Sequence, residues 1–185
     1  MRHHGGMMTR GPSLKYARVE RERRFLLPAL PSEAAVSRLL EIDDRYLVGL
    51  RLRLRRVEEA GFPPVFKLGQ KVRLDEASPT ALAHTTMYLG AAEYSGLLSL
   101  PAQELVKTRR LLELGDRTWA VDAFHGPLAG LVLVEVDLGA DGSLAEPLAI
   151  QAAVEVSEDE RFTGGALAAT SGHELRRLIG EYGLS

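Results

Sequence analysis

The sequence predicts an α+β fold that is mainly antiparallel β with short flanking helices, and three observations carry that expectation. Stretches of alternating apolar and polar residues recur along the chain, and the turns between them are short and marked by glycine and proline. Strands do not alternate with long helices, which argues against a doubly wound sheet. The 185 residues suit one domain able to bury about two thirds of its unfolded surface. With 45% hydrophobic and 26% charged residues the chain is globular in composition. No cysteine is present, which excludes disulfides, thiolate-held metals and cysteine nucleophiles and fits a cytoplasmic location.

Taken in order, residues 1–15 read as a disordered leader, since Met1–Ser13 has no periodicity, and residues 16–185 as one domain. Tyr16–Leu27 alternates, with Glu20, Glu22 and Arg24 on one parity, and Pro28 and Pro31 end it. Ser32 caps an expected short helix whose apolar positions Val36, Leu39 and Leu40 follow helical spacing. Leu47–Val57 is the clearest strand, with Arg51, Arg53 and Arg55 opposite Leu50, Leu52 and Leu54. Beyond Gly61, Pro63 and Pro64, strands are expected at Val65–Val72 and Ala83–Leu89, followed by a short helix at Tyr94–Leu98 that Pro101 stops.

Glu104–Leu114, Arg117–Phe124 and Leu131–Leu138 are three further strands, turned at Gly115-Asp116 and Gly126-Pro127 and closed by Gly139, Asp141 and Gly142. A strand near Ile150–Val156 and a final helix over Leu167, Leu175, Leu178 and Ile179 complete the reading. The Leu131–Leu138 strand is apolar on both faces except for Glu135 and Asp137, so it is expected to be covered on both sides. Carboxylates held in such a place need partners.

Charge is divided unevenly. Residues 1–92 hold 16 basic and 10 acidic side chains, and residues 93–185 hold 7 and 15, although the net charge is only −2. Taken singly, each charged strand face reads most simply as solvated. Taken together, the rows Glu20-Glu22-Arg24, Arg51-Arg53-Arg55, Lys107-Arg109 and Glu135-Asp137 could line the interior of one closed barrel. Such an interior offers carboxylates to a hard divalent cation and guanidinium forks to phosphate. No G-x-x-x-x-G-K-[ST] or G-x-G-x-x-G motif is present, and His84, His125 and His173 are scattered and read as structural or exposed. Aromatic residues make up 6% of the chain and the basic residues alternate with carboxylates, which disfavours nucleic acid as a partner. No apolar run is long enough to span a membrane.

Val19-Glu20-Arg21-Glu22-Arg23-Arg24-Phe25 resembles the E-x-E-x-K signature of the CYTH, or triphosphate tunnel metalloenzyme, family. In order along the chain, Tyr46 with Leu50–Arg55 resembles its paired-arginine strand, Phe66-Lys67-Leu68-Gly69 its lysine strand and Lys107-Thr108-Arg109 its K-x-R strand. Trp119–Phe124 with Asp122, Gly130–Leu138 with Glu135 and Asp137, and Asp159-Glu160-Arg161-Phe162 resemble the remaining motifs, so the likeness spans about residues 17–170.

The resemblance implies an eight-stranded closed tunnel that binds a small triphosphate or polyphosphate with Mg²⁺ or Mn²⁺. Carried over, Glu20, Glu22, Glu135, Asp137 and Asp122 would hold metal and, with Arg24, form the catalytic set. Arg24, Arg51, Arg53, Arg55, Lys67, Lys107, Arg109 and Arg161 would bind phosphate. Hydrolysis of inorganic tripolyphosphate is the implied activity. Adenylate cyclase, thiamine or nucleoside triphosphatase and a non-catalytic polyphosphate binder stand as alternatives. Arg24 stands where the family has lysine and Asp137 where glutamate is usual.

Overall fold

The computed structural model describes residues 15–31, 36–74, 80–139 and 154–184. Nine strands run β1 (Arg18–Leu27), β2 (Val36–Leu47), β3 (Arg53–Glu58), β4 (Val65–Arg73), β5 (Ala81–Leu89), β6 (Ala102–Leu114), β7 (Arg117–Phe124), β8 (Val132–Asp137) and β9 (Val154–Glu155). Three helices accompany them: α1 (Ala91–Leu97), α2 (Gly164–Ala168) and α3 (Gly172–Gly180). The sheet order β5-β4-β3-β2-β6-β7-β8-β1 closes through an additional pairing of β5 with β1, giving an eight-stranded antiparallel barrel. The expected antiparallel tunnel is therefore the fold observed.

Closure depends on β1, whose two halves pair differently. Arg18–Arg21 runs against Ala81–His84 of β5, whereas Glu22–Leu27 runs against Val132–Asp137 of β8. Where β5 ends, β9 takes over the vacated edge beside Phe25 and Leu26, so no long strand edge is left open there.

Two elements differ from the sequence expectation. The segment from Val36, expected to be helical, is the start of the 12-residue β2, paired with β6 on one side and β3 on the other. Val36 and Leu40 satisfy period two as well as helical spacing, and Leu39, which only helical spacing would bury, points outward. The strand expected over Leu47–Val57 begins only at Arg53. Gly49 adopts φ +73°, and backbone bonds from Leu50 to Leu47 and from Leu47 to Leu52 close a hairpin that holds Leu50 and Arg51 out of the ladder.

The final helix is two, separated at Ala169–Ser171 and each capped by a hydroxyl. Thr163 accepts from the Ala166 amide, and Ser171 forms a capping box with Glu174. The strand expected near Ile150 is present from Val154. Its earlier residues, the turn residues Asp141 and Gly142, the Ser32 cap and the leader up to Leu14 lie outside the described residues.

The apolar residues divide into two sets by strand parity. Inward-facing Leu105, Phe124, Leu131 and Leu133 pack with Phe162, Leu167, Leu175 and Leu178, so that α2 and α3 plug one end of the barrel. Outward-facing Phe25, Trp119, Val121, Val134 and Val136 form a second cluster on β1, β7 and β8. Both faces of β8 are thus apolar, as its sequence implies. Phe25 is 1% exposed and its ring lies 6.4 Å from that of Trp119. Phe25→Ala should therefore destabilise the fold by about 3–5 kcal/mol in urea unfolding without altering the barrel interior, because it faces away from it.

Candidate functional site

Between the apolar plug and the opposite end, the barrel encloses a cavity of about 480 Å³. Period-two geometry puts the even-numbered charges of β1, and the odd-numbered ones of β3, β4, β6 and β8, on its wall.

The more basic side is built on two buried carboxylates. Asp44 on β2 is 1% exposed and receives a two-pronged hydrogen bond from Arg55, Nε and Nη2 each at 2.6 Å; Arg53 Nε approaches to 3.5 Å. Burial alone would push Asp44 up, but the charge and fork of Arg55, with Arg53 and Lys107, bring it down to about 2. Asp122 on β7 is equally buried and receives a matching fork from Arg109, Nε and Nη2 both at 2.6 Å, together with Lys107 Nζ. Each fork leaves its Nη1 uncommitted to its carboxylate. Arg53 Nε is buried without a hydrogen bond. Arg51 stands at the rim, in the hairpin.

The acidic side comprises Glu20, Glu22 and Glu135. Glu20 Oε1 lies 2.8 Å from His84 Nδ1, and Glu20 Oε2 is buried without a hydrogen bond although Lys71 Nζ stands 3.1 Å away. Lys71 also donates to Glu22 Oε1. Arg24 links the remaining two, with Nε 3.0 Å from Glu135 Oε1 and Nη2 3.6 Å from Glu22 Oε2, while Arg109 Nη2 reaches Glu135 Oε2 at 2.9 Å. Burial would raise Glu20, but the His84 hydrogen bond and Lys71 hold it down at about 2. Burial likewise opposes the charged form of Glu135, and Arg24, Lys107 and Arg109 outweigh it. Burial would lower Arg24, yet Glu135 and Glu22 hold it above its ordinary value, so the guanidinium stays charged.

Of the residues expected from sequence, Glu20, Glu22, Arg24, Arg51, Arg53, Arg55, Lys107, Arg109 and Glu135 line this one cavity. Four do not. Asp122 lies behind the wall with both oxygens taken by Arg109 and Lys107, so it orients cations instead of facing the cavity. Asp137 accepts from Arg18, from the Arg21 amide and from the Gly139 amide, and is spent on the point where β1 changes partner. Lys67 sits farther along β4, its Nζ 5.2 Å from the centre of the Tyr88 ring, beside Arg38 and Glu59 in a separate depression. Arg161 is half-exposed and pairs with Asp159 and Glu181, tying the turn before α2 to the end of α3.

Sequence reasoning missed Lys71, Arg73 and Asp44, read His84 as structural or exposed, and named Tyr46 within a motif without giving it a place in the site. Lys71 and Arg73 share the parity of Lys67 and Gly69, which was the available signal. Gly69 leaves room for both neighbours: a Cβ there would stand 3.4 Å from His84 Nε2 and 3.6 Å from Arg53 Nη2. Tyr46 rests its hydroxyl on Gly164, where an added Cβ would lie 1.8 Å from the oxygen, so α2 approaches the cavity only because that residue is glycine.

No protein-family model matches the sequence. No curated protein matches it either. Among solved structures, one described as the hypothetical protein NE1496 matches with a TM-score of 0.56 at 22% identity, covering 82% of this chain and 99% of that one. Another, described as the inorganic triphosphatase NE1496, matches with a TM-score of 0.55 at 23% identity, covering 82% and 95%. A conserved hypothetical protein from Pyrococcus furiosus gives a TM-score of 0.46 at 17% identity, covering 90% and 91%. The likeness to NE1496 is one of fold, and it agrees with the tunnel implied by the motifs.

Because Asp44 titrates lower in the folded chain than its ordinary 3.8, the stability it contributes is complete above about pH 4 and is lost as pH falls towards 2. That loss should amount to about 2 kcal/mol in urea unfolding between pH 5 and pH 2. Asp44→Asn should remove this part of the acid dependence and cost about 3–5 kcal/mol at pH 7 by stranding Arg55.

Proposed function

We propose that the protein is a divalent-metal-dependent triphosphatase acting on a compact triphosphate, inorganic tripolyphosphate first. The observation that carries this reading is the enclosed cavity in which cations outnumber anions. Arg24, Arg51, Arg53, Arg55, Lys71, Lys107 and Arg109 face Glu20, Glu22 and Glu135, with Asp44 and Asp122 behind. Arg73, at the rim, has its own partner in Glu160. A polyanion is the ligand that offsets such a surplus. The aromatic residues on the wall are otherwise engaged: Phe124 lies under Lys107, Phe162 packs edge-on against Tyr182, and Tyr46 rests on Gly164. None is placed to stack a base, which favours an inorganic chain over a nucleotide.

The acidic side fits a hard cation. Glu20 has a buried oxygen with no hydrogen bond, Glu22 is beside it, and a positive group already stands between them. Among the described residues no three His, Asp or Glu converge as a complete cage. A carboxylate pair completed by water and phosphate oxygens is how Mg²⁺ is ordinarily held, and Mn²⁺ accepts the same donors. Glu20 and Glu22 would hold the ion, with Glu135 nearby. Such an ion supplies charge neutralisation for the phosphate chain and Lewis acidity towards water.

The chain's own residues do the rest. Arg55 and Arg109, locked by their forks, present fixed donors to phosphate oxygens and can take up charge developing on the transferred phosphoryl group without reorganising. Arg24, held charged, orients phosphate and neither gives up nor accepts a proton. The plug of Phe162 and Leu167 bars water from one end.

Incubating the protein with tripolyphosphate, thiamine triphosphate and ATP, each with Mg²⁺ or Mn²⁺, should release orthophosphate fastest from tripolyphosphate and yield no cyclic AMP. Release of no product from any of the three would refute the enzyme. Arg55→Ala should lower kcat/KM by roughly 100- to 1,000-fold. Glu22→Gln should lower kcat by more than the roughly 10- to 100-fold typical of an outer-sphere loss while tripolyphosphate still binds. A protein that releases no phosphate, and whose Glu22→Gln variant binds tripolyphosphate as well or more tightly, is a polyanion binder instead.

A further inference from the structure

Lys71 stands apart from the other cations of the cavity. Its ammonium lies 3.1 Å from Glu20 Oε2 and hydrogen-bonds Glu22 Oε1, bridging the two carboxylates. The side chains of both carboxylates are only 12% exposed, too little solvent to screen their mutual repulsion without a positive charge between them. The four cations deepest in the wall are fixed in place by forks or by burial: Arg55 on Asp44, Arg109 on Asp122, Lys107 on Asp122, Arg24 between Glu22 and Glu135. Lys71 has no fork and is less buried, at 31% side-chain exposure, on a four-carbon stem that rotates freely.

We propose that Lys71 is a resident stand-in for the divalent cation, neutralising Glu20 and Glu22 in the metal-free protein and leaving that position when the metal enters. This rests on the reading of Glu20 and Glu22 as metal ligands. Two positive groups crowded into the gap between these carboxylates repel each other strongly in a partly buried site, so the ammonium and the metal do not share it. Metal affinity is therefore a difference: ion binding less the loss of the ammonium's two ion pairs. The swing stays within the cavity, where Glu135 already feels the Lys71 charge and where a triphosphate offers new partners. Lys71 is thus a positioning residue that keeps the carboxylate pair preformed yet lowers its affinity for the ion until phosphate arrives.

The test is Mn²⁺ binding without phosphate, followed by the electron paramagnetic resonance of free Mn²⁺, on the whole chain. Lys71→Met should bind Mn²⁺ on the order of 10-fold or more tighter than the unsubstituted protein, and Lys71→Arg, which keeps a charge, should not. Without metal, Lys71→Met should also melt at a lower temperature than the unsubstituted protein and recover on adding Mn²⁺. Lys71→Gln serves in its place should Lys71→Met fail to fold. If Glu22→Gln weakens Mn²⁺ binding but neither neutral variant tightens it, the stand-in role is overturned while the metal site survives. If neither the unsubstituted protein nor the neutral variants bind Mn²⁺, the metal site and the stand-in role fall together.

Discussion

The rest of the structure depends on a constraint of closure: a barrel with charged residues at every second position of its strands must neutralise those charges against one another inside. Asp44 and Asp122 meet that constraint. Each is 1% exposed, each takes a two-pronged bond from an arginine on a neighbouring strand, and each lies in cross-strand register with that arginine, Asp44 opposite Arg55 and Asp122 opposite Arg109. The forks do more than cancel charge. A guanidinium bound edge-on to a carboxylate cannot rotate, so its free edge is aimed by the backbone register of two strands. Rigid aim of that kind is what a site working by electrostatic stabilisation requires, since the donors then cost no reorganisation when charge develops. Removing either aspartate would leave a buried cation without a partner, which is why fold stability and site geometry are not separable here.

Much of this was legible in the residues, and the reason is the period of a strand. Rows such as Glu20-Glu22-Arg24 and Lys107-Arg109 display an inner face directly, because parity and side are the same thing in a sheet. What parity does not display is depth along the barrel. Lys67 and Lys71 share a face, yet only Lys71 reaches the carboxylates, and the difference is set by the pairing of β4 with β5, which puts Lys71 opposite His84 and Lys67 opposite Tyr88. Asp137 shares the parity of Glu135 but falls where β1 leaves β8 for β5, so its oxygens are claimed by the Arg18 side chain and two backbone amides. Asp44 was hidden for a different reason. Its strand begins with Val36, Leu39 and Leu40, a trio at helical spacing of which only Val36 and Leu40 also fit period two, and pairing with two neighbours decides for the strand. Arg161 illustrates a third limit, since a motif near a helix start does not reveal whether an arginine turns inward or, as here, pairs with Asp159 and ties the turn to the end of α3.

The uneven division of charge between the two halves of the sequence does not survive folding as two surfaces. The barrel interleaves the halves, because β2 from the first lies between β3 and β6, and β1 from the first lies between β8 and β5. Each side of the cavity therefore draws on both. Arg53 and Arg55 stand with Lys107 and Arg109, and Glu20 and Glu22 stand with Glu135. A net charge of −2 for the whole chain conceals a cavity of opposite sign.

The two sides of the cavity differ in how firmly their cations are held, and that difference has a physical use. On the Asp44–Asp122 side the cations are held by forks or buried pairs, with Arg55 and Arg109 held above their ordinary pKa because their carboxylates outweigh burial. Between Glu20 and Glu22 the neutralising group is an ammonium on a rotating stem, and one oxygen there receives no hydrogen bond at all. A fixed bank gives a ligand one orientation. A loosely held counter-charge between two carboxylates gives a second cation somewhere to enter without leaving bare anions behind in its absence. Arg24 joins the two regimes through Glu22 and Glu135, and its charge is secured by both. A lysine at that position would be a point charge free to leave either partner, whereas the guanidinium can contact both carboxylates at once. Arginine at 24 and lysine at 71 thus divide between them the holding and the yielding that one residue could not do together.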